Sequence, residues 1–244
     1  MGPVVIGLDV GQKRDPTAIA VAEVGQRERA GAPVIDALRL RDGSRLYESM
    51  FTIRSLGRLP LGTGYPLVIH RVSEVLMRLK AMSPYETPEL VVDSTGVGAP
   101  IYDELASALG DLATVRAATF TASARLEFDG WAIKVGKPYL VSRLQALLST
   151  QRIRLPETDQ ARALAKELTD YEIRVDDAAH MTTGAFKTGT HDDLATALGL
   201  ACLQDKSPGR FVMFENDPDE LATLDNAIGV DTSLNLLDPT VTGF

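Results

Sequence analysis

Cysteine, tryptophan and histidine are scarce in this chain of 244 residues, which has one cysteine, one tryptophan and three histidines. The single cysteine, Cys202, excludes an internal disulfide and a zinc site made of several cysteines. No apolar run reaches the roughly 18 residues that a membrane span needs, and no basic segment followed by a long apolar one begins the sequence. We therefore expect a cytoplasmic protein that does not insert into a membrane.

An excess of basic charge is also missing, because 25 Lys and Arg stand against 33 Asp and Glu, for a net charge of −8. From Asp205 to the C-terminus, 2 basic residues accompany 8 acidic ones, a balance of −6. The remaining 204 residues carry 23 basic and 25 acidic ones, a balance of −2. A body so close to neutrality can still present a basic face to nucleic acid. We predict one domain over residues 1–204 and an acidic C-terminal tail over residues 205–244.

Short apolar segments and amphipathic segments alternate along the chain. Residues 4–10, which are rich in β-branched side chains, predict a buried strand. Apolar residues over 65–82 repeat at helical spacing, with Pro66 in the first turn. The alternation predicts an α/β domain with a mixed β-sheet flanked by helices. Further strands are predicted over residues 17–24, 34–40, 50–54, 90–93, 112–120 and 153–155, helices over 102–109, 137–150, 157–171 and 192–203, a loop or hairpin over 123–136, and loops over 25–32 and 183–189.

Carboxylates stand at the ends of two predicted strands and at the start of a buried helix. Asp9 ends the first strand, Asp93 ends a later strand, and Asp192 and Asp193 open the apolar helix. The carboxyl ends of neighbouring parallel strands lie ~4.8 Å apart, at the edge of the sheet where sites form. A helix N-terminus at this edge would bring a third carboxylate beside the other two. The pattern therefore predicts one site that contains all of these aspartates.

Aspartates held so close together repel one another unless divalent cations neutralise them. Oxygen ligands without cysteine or several histidines favour Mg²⁺ or Mn²⁺, and two such ions ~4 Å apart can hydrolyse a phosphodiester. Structural interpretations remain open beside this one. Asp192 is well placed to cap the helix, and Asp15, before Pro16, is well placed to form a turn at the mouth of the site.

Basic residues outnumber acidic ones between the predicted strand at 112–120 and the helices that follow it. A basic face beside an acidic metal site would bind the DNA backbone rather than the edges of the bases. The alternative for each of these residues is a solvated helix face. The residues predicted to bind DNA are Lys134, Lys137, Arg143, Arg152 and Arg154.

Three segments resemble the acidic motifs of the nuclease domain of tailed-phage large terminase subunits. They are Gly-Leu-Asp-Val-Gly at 7–11, Leu-Val-Val-Asp-Ser-Thr-Gly-Val-Gly at 90–98 and Gly-Thr-His-Asp-Asp-Leu-Ala-Thr-Ala-Leu at 189–198. Their order and spacing fit over most of residues 4–204. The resemblance implies a ribonuclease H-like fold. It also implies a metal-dependent endodeoxyribonuclease that cuts concatemeric viral DNA during genome packaging with two Mg²⁺ or Mn²⁺ ions.

The resemblance also implies roles for individual residues and for partners. Carried over by position, Asp9, Asp93 and Asp193 would be the catalytic residues and principal metal ligands, and Asp192 and Asp15 would bind the second ion or lie outside the first ligands. The implied substrate is double-stranded DNA. The implied partners are a terminase ATPase motor, a small terminase subunit and the portal of a procapsid. The implied setting is the cytoplasm of a bacterial host during phage assembly, from a phage or a prophage.

An ATPase phosphate loop of the form G-x-x-x-x-G-K-[ST] does not occur in the sequence. We therefore expect the chain to be either the nuclease part of a larger protein or a subunit that works with a separate motor. Three alternatives stay open. A Holliday-junction-resolvase-like nuclease shares the acidic core, an actin-like small-molecule kinase shares the loop at 7–11, and a catalytically silent scaffold could keep the fold alone.

Overall fold

The computed structural model describes residues 2–11, 15–28, 47–96, 98–123, 125–175, 181–186, 192–203 and 205. Within these residues no helix is long and apolar enough to cross a membrane. The strands, in chain order, are β1 (Val4–Asp9), β2 (Ala18–Glu28), β3 (Tyr47–Arg58), β4 (Glu89–Asp93), β5 (Thr114–Thr121), β6 (Leu126–Asp129), β7 (Ala132–Gly136), β8 (Ile153–Arg154), β9 (Tyr171–Val175) and β10 (Met181–Phe186). The helices are α1 (Tyr65–Met82), α2 (Gly98–Leu109), α3 (Lys137–Ser149), α4 (Asp159–Asp170) and α5 (Asp193–Ala201).

Eight of the strands form one mixed sheet in the order β6-β7-β5-β4-β1-β2-β3-β8, and β9 and β10 form a separate antiparallel pair. β2 is antiparallel to both of its neighbours, whereas β1, β4 and β5 run parallel to one another. The predicted fold class, an α/β domain with a mixed sheet flanked by helices, is therefore confirmed.

Two apolar cores lie on opposite faces of the sheet, because alternate residues of a strand point to opposite sides. In β1, Ile6 and Leu8 point to the face that α1 and α2 cover, where Val68 and Leu76 of α1 are fully buried. The other face belongs to the core that includes α3 and α5. Helix α5 is buried along its whole length, which agrees with its nearly continuous apolar sequence.

Helix α5 lies directly on β1 at Gly7. A side chain at Gly7 would overlap the carbonyl oxygen of Ala197 and crowd the backbone nitrogen of Ala201. Val5, two residues earlier in β1, lies beside Leu200 near the C-terminal end of the same helix. The helix therefore runs against the direction of β1, and its N-terminus lies at the edge of the sheet where β1 ends.

Several predicted boundaries need correction. Residues 25–28 were predicted as loop but belong to β2, because their backbone pairs with residues 47–50 of β3. Residues 183–186 were also predicted as loop but belong to β10, and Tyr171 begins β9 rather than ending α4. In each case pairing with another strand decides the conformation, β2 with β3 and β9 with β10. The strand predicted over 34–40 lies outside the described residues.

The contact between α5 and β1 generates a prediction about stability. Gly7→Ala is expected to lower the free energy of unfolding by about 3 kcal/mol or more, because the new methyl group meets backbone atoms that cannot move separately. Gly64→Ala serves as the matched control, since Gly64 has an extended backbone that any residue adopts and its methyl group would meet only Cδ of Pro66, at 3.8 Å. Urea denaturation of both variants checks the prediction, and equal losses would contradict it.

Candidate active site

Asp9 and Asp93 end two neighbouring parallel strands. The register of β1 and β4 sets Leu8 opposite Val92, so the next residue of each strand is one of the two aspartates. Each is only partly exposed. The sequence prediction that these two strand ends meet at one edge of the sheet is confirmed.

The first turn of α5 brings Asp192 to the same edge. Asp192 is the N-cap residue of α5, yet its side chain makes no capping hydrogen bond. Its carboxylate instead accepts a hydrogen bond from Nζ of Lys137 at 2.6 Å. Lys137 is the first residue of α3 and follows β7 directly. The structure therefore contradicts the interpretation of Asp192 as a helix cap alone.

Burial and neighbouring charges shift the pKa values of ionisable side chains at this edge. Burial raises the pKa of Asp9 well above its ordinary value, and the negative charges of Asp93 and Asp192 raise it further. Burial also raises the pKa of Asp93, although hydrogen bonds from Thr95 oppose the rise. Burial by itself would lower the pKa of Lys137, but the surrounding carboxylates, Asp192 first, raise it. These four charged groups therefore influence one another electrostatically. We call Asp9, Asp93, Asp192 and Lys137 together the carboxylate cluster.

Asp193 has partners that the sequence reasoning missed. Its carboxylate accepts a hydrogen bond from Nε of Arg58, the last residue of β3, and Nη2 of the same guanidinium group binds Glu167 of α4. The other oxygen of Glu167 accepts the backbone N–H of Ala195 at 2.8 Å. Burial raises the pKa of Glu167 to about 7 despite the hydrogen bond from Ala195 and the charge of Arg58.

A signal for Glu167 was present in the sequence. Ala161, Leu164 and Glu167 follow one another at a spacing of three, which puts them on one face of α4, and all three are buried. A carboxylate on the apolar face of a helix needs a cation or a set of N–H donors. Arg58 gave no comparable signal, because a basic residue that follows a strand is usually solvated.

Asp15 lies between β1 and β2. It is exposed in the turn that follows β1, and its backbone oxygen lies close to Gly11. Its part in binding an ion stays a prediction. His191, which precedes the Asp192–Asp193 pair in the sequence, lies outside the described residues.

The residues predicted to bind DNA fall into three environments. Lys137 belongs to the carboxylate cluster, and Lys134 and Arg154 are exposed. Arg143 donates to the carbonyl of Cys202 at 2.5 Å, and Arg152 donates to the carbonyl of Ser49 at 2.8 Å. Both guanidinium groups also pair with Asp205. These contacts give Arg143 and Arg152 a structural role at the C-terminal end of α5, and their contact with DNA stays a prediction.

The donor set of the carboxylate cluster fits a hard divalent cation. Three carboxylates converge, one of them buried, and oxygen ligands of this kind suit Mg²⁺ or Mn²⁺. Within the described residues, no three Asp, Glu, His or Cys side chains lie close enough together to hold an ion as they stand. The ammonium group of Lys137 lies among the carboxylates and supplies positive charge there.

Comparisons with known proteins were made on sequence and on structure. No protein-family model matches the chain, and no curated protein matches it. Among solved structures, the chain is similar to the large terminase nuclease from thermophilic phage G20c, with 19% identity, a TM-score of 0.46, and coverage of 83% of this chain and 82% of that one. It is also similar to the human cytomegalovirus terminase nuclease domain, Mn soaked, with 11% identity, a TM-score of 0.45, and coverage of 82% and 81%. Both are terminase nucleases, the class that the sequence motifs resemble.

The raised pKa of Asp9 generates a prediction about pH. Because the folded protein binds this proton more tightly than the unfolded chain, stability in EDTA should fall as pH rises from about 4 through the pKa of the folded state. Asp9→Asn removes the charge, so we expect its Tm to exceed that of the wild type by about 3 °C or more at pH 7.5. Near pH 4 the two proteins should have similar values.

Differential scanning calorimetry in EDTA at several pH values measures this difference. Asp103→Asn is the matched control, because Asp103 is exposed in α2. A lower Tm for Asp9→Asn than for the wild type at pH 7.5 would contradict the account of the buried carboxylate.

Proposed function

We propose that this chain is a divalent-metal-dependent endodeoxyribonuclease that cuts viral DNA during genome packaging by hydrolysing phosphodiester bonds. The observation that carries the proposal is the convergence of a half-buried Asp9 with Asp93 and Asp192 at the carboxyl edge of a ribonuclease H-like sheet. The resemblance of the three surrounding sequence segments to terminase nuclease motifs supports DNA as the substrate. The same resemblance supports a motor ATPase, a small terminase subunit and a portal as partners.

A structural role for the carboxylate cluster is a poor explanation of its composition. Each buried carboxylate costs several kcal/mol to desolvate, and like charges beside it increase that cost. Lys137 offsets part of the charge through its contact with Asp192. A fold that needed only stability would keep apolar or neutral side chains at these positions, since active sites are where such groups persist.

The residues of the cluster suit hydrolysis with two ions. When bound, the ions would supply an activated water and stabilise the departing oxygen of the phosphodiester. Asp9, Asp93 and the Asp192–Asp193 pair would hold the ions. Lys137 would leave Asp192 as the cation enters, and its ammonium group would then be free to bind a phosphate oxygen.

The first prediction for this function concerns cleavage. Purified protein should nick and linearise supercoiled plasmid with Mg²⁺ or Mn²⁺ and not with EDTA. Asp9→Asn and Asp93→Asn should each lower the cleavage rate by roughly 100-fold or more, because the ions lose a ligand. Agarose-gel assays of initial rates measure the effect.

Asp103→Asn is the control for this assay and should cleave at the wild-type rate. Cleavage that persists in EDTA, or that survives Asp9→Asn, would contradict a metal-dependent reaction at the carboxylate cluster. The same two variants should retain their folded state by circular dichroism, so that a loss of rate is not a loss of fold.

The second prediction separates DNA-contacting residues from structural ones. Lys134→Ala and Arg154→Ala should weaken binding to a DNA duplex and reduce the slope of log K against log salt by about one each, as for a single phosphate contact. Arg143→Ala and Arg152→Ala should instead lower Tm, because their guanidinium groups bind backbone carbonyls. Fluorescence anisotropy at several salt concentrations, with EDTA or Ca²⁺, measures the slopes. Unchanged slopes for Lys134→Ala and Arg154→Ala would contradict their assignment.

A further inference from the structure

Two adjacent aspartates open α5, and they have different surroundings. The side chain of Asp192 is 28% exposed and binds Lys137. Asp193 is 2% exposed and binds Arg58. Successive side chains of a helix project about 100° apart, so the two carboxylates of this pair are turned toward different neighbours.

Three linked hydrogen bonds surround one carboxylate oxygen of Asp193. Nε of Arg58 binds Asp193, and Nη2 of Arg58 binds Glu167. The second oxygen of Glu167 binds the N–H of Ala195, in the first turn of the helix that Asp193 begins. A planar guanidinium group can bind two carboxylates at once, which an ammonium group does less well. We call Arg58 and Glu167 together the α5 clamp.

We propose that the α5 clamp commits Asp193 to holding the first turn of the helix, and that Asp192 is the carboxylate of the pair that completes the ion site with Asp9 and Asp93. Arg58 and Glu167 are then positioning residues, which act on the reaction through the placement of Asp192. This inference rests on the proposed function, because it names which of two neighbouring carboxylates binds the ion.

The cost of the opposite arrangement supports this assignment. The oxygen of Asp193 that Arg58 does not hold, Oδ1, is buried away from the surface. For Asp193 to bind an ion with the oxygen that Arg58 now holds, the guanidinium group would have to withdraw. Glu167, which is 5% exposed, would then lose its cation inside the protein, and a buried carboxylate without its partner is strongly destabilising. Freeing Asp192 to bind an ion costs less, because its partner Lys137 is 40% exposed and can turn toward solvent.

The test compares Asp192→Asn with Asp193→Asn in the full chain. Tm is measured in EDTA, and the Kd for Mn²⁺ is measured from the electron paramagnetic resonance signal of the free ion. We expect Asp192→Asn to keep or raise Tm and to weaken Mn²⁺ binding by roughly 100-fold. We expect Asp193→Asn to lower Tm and to weaken Mn²⁺ binding by about 10-fold or less, as for a residue that only supports the ligands.

Two further variants examine the clamp itself. In a double-mutant cycle, the losses in Tm from Arg58→Met and Asp193→Asn should be less than additive, because both remove the same contact. Glu167→Ala keeps both aspartates and should lower Tm, because it leaves Arg58 and the N–H of Ala195 without their carboxylate partner, while Mn²⁺ binding stays within about 10-fold of the wild type. If Asp193→Asn does not fold, Asp192→Asn still decides the question, because Mn²⁺ binding at the wild-type Kd in that variant would overturn the inference.

The inference is overturned if Asp193→Asn keeps the wild-type Tm and weakens Mn²⁺ binding more than Asp192→Asn does. It is also overturned if the cycle is additive. If the wild type binds no Mn²⁺, the proposed ion site fails and the assignment of Asp192 fails with it. If the wild type binds Mn²⁺ and only the ranking of the two variants is reversed, the proposed function survives and this inference alone is wrong.

Discussion

The close contact between α5 and β1 is the packing constraint on which the rest of the site depends. Gly7 leaves no side chain between the strand and the backbone of Ala197 and Ala201, so the helix lies directly on the sheet. Its first turn is thereby fixed at the edge where β1 and β4 end. A helix held one side-chain layer further out would preserve the order of the strands and would separate Asp192 from Asp9 and Asp93.

This packing brings like charges together, and cations from other elements offset them. Lys137 lies at the start of α3 and binds Asp192. Arg58 lies at the end of β3 and binds Asp193. Burial nevertheless raises the pKa of Asp9 well above its ordinary value. The stability lost at this edge is consistent with a functional site, where groups that weaken the folded state persist because the chemistry needs them.

The basic residues illustrate how the same residue type serves different ends. Sequence position grouped Arg143 and Arg152 with Lys134 as contacts for a DNA backbone. In the folded chain, the two arginines bind main-chain carbonyls and share Asp205, whereas Lys134 is exposed on β7. A guanidinium group with five donors is well suited to joining distant backbone segments, and nothing in the local sequence distinguishes that use from binding phosphate.

The sequence by itself determined the class of the fold and the strand ends and helix start that carry Asp9, Asp93 and Asp192. Apolar periodicity is local, so it marks β1, β4, α1 and α5, and with them the strand ends at Asp9 and Asp93. Only the tertiary structure decided the partners of the third motif. Lys137 and Asp192 are 55 positions apart, and Arg58 and Asp193 are 135 apart. Such pairs depend on which elements become neighbours in space, and a local sequence pattern does not predict which elements those are.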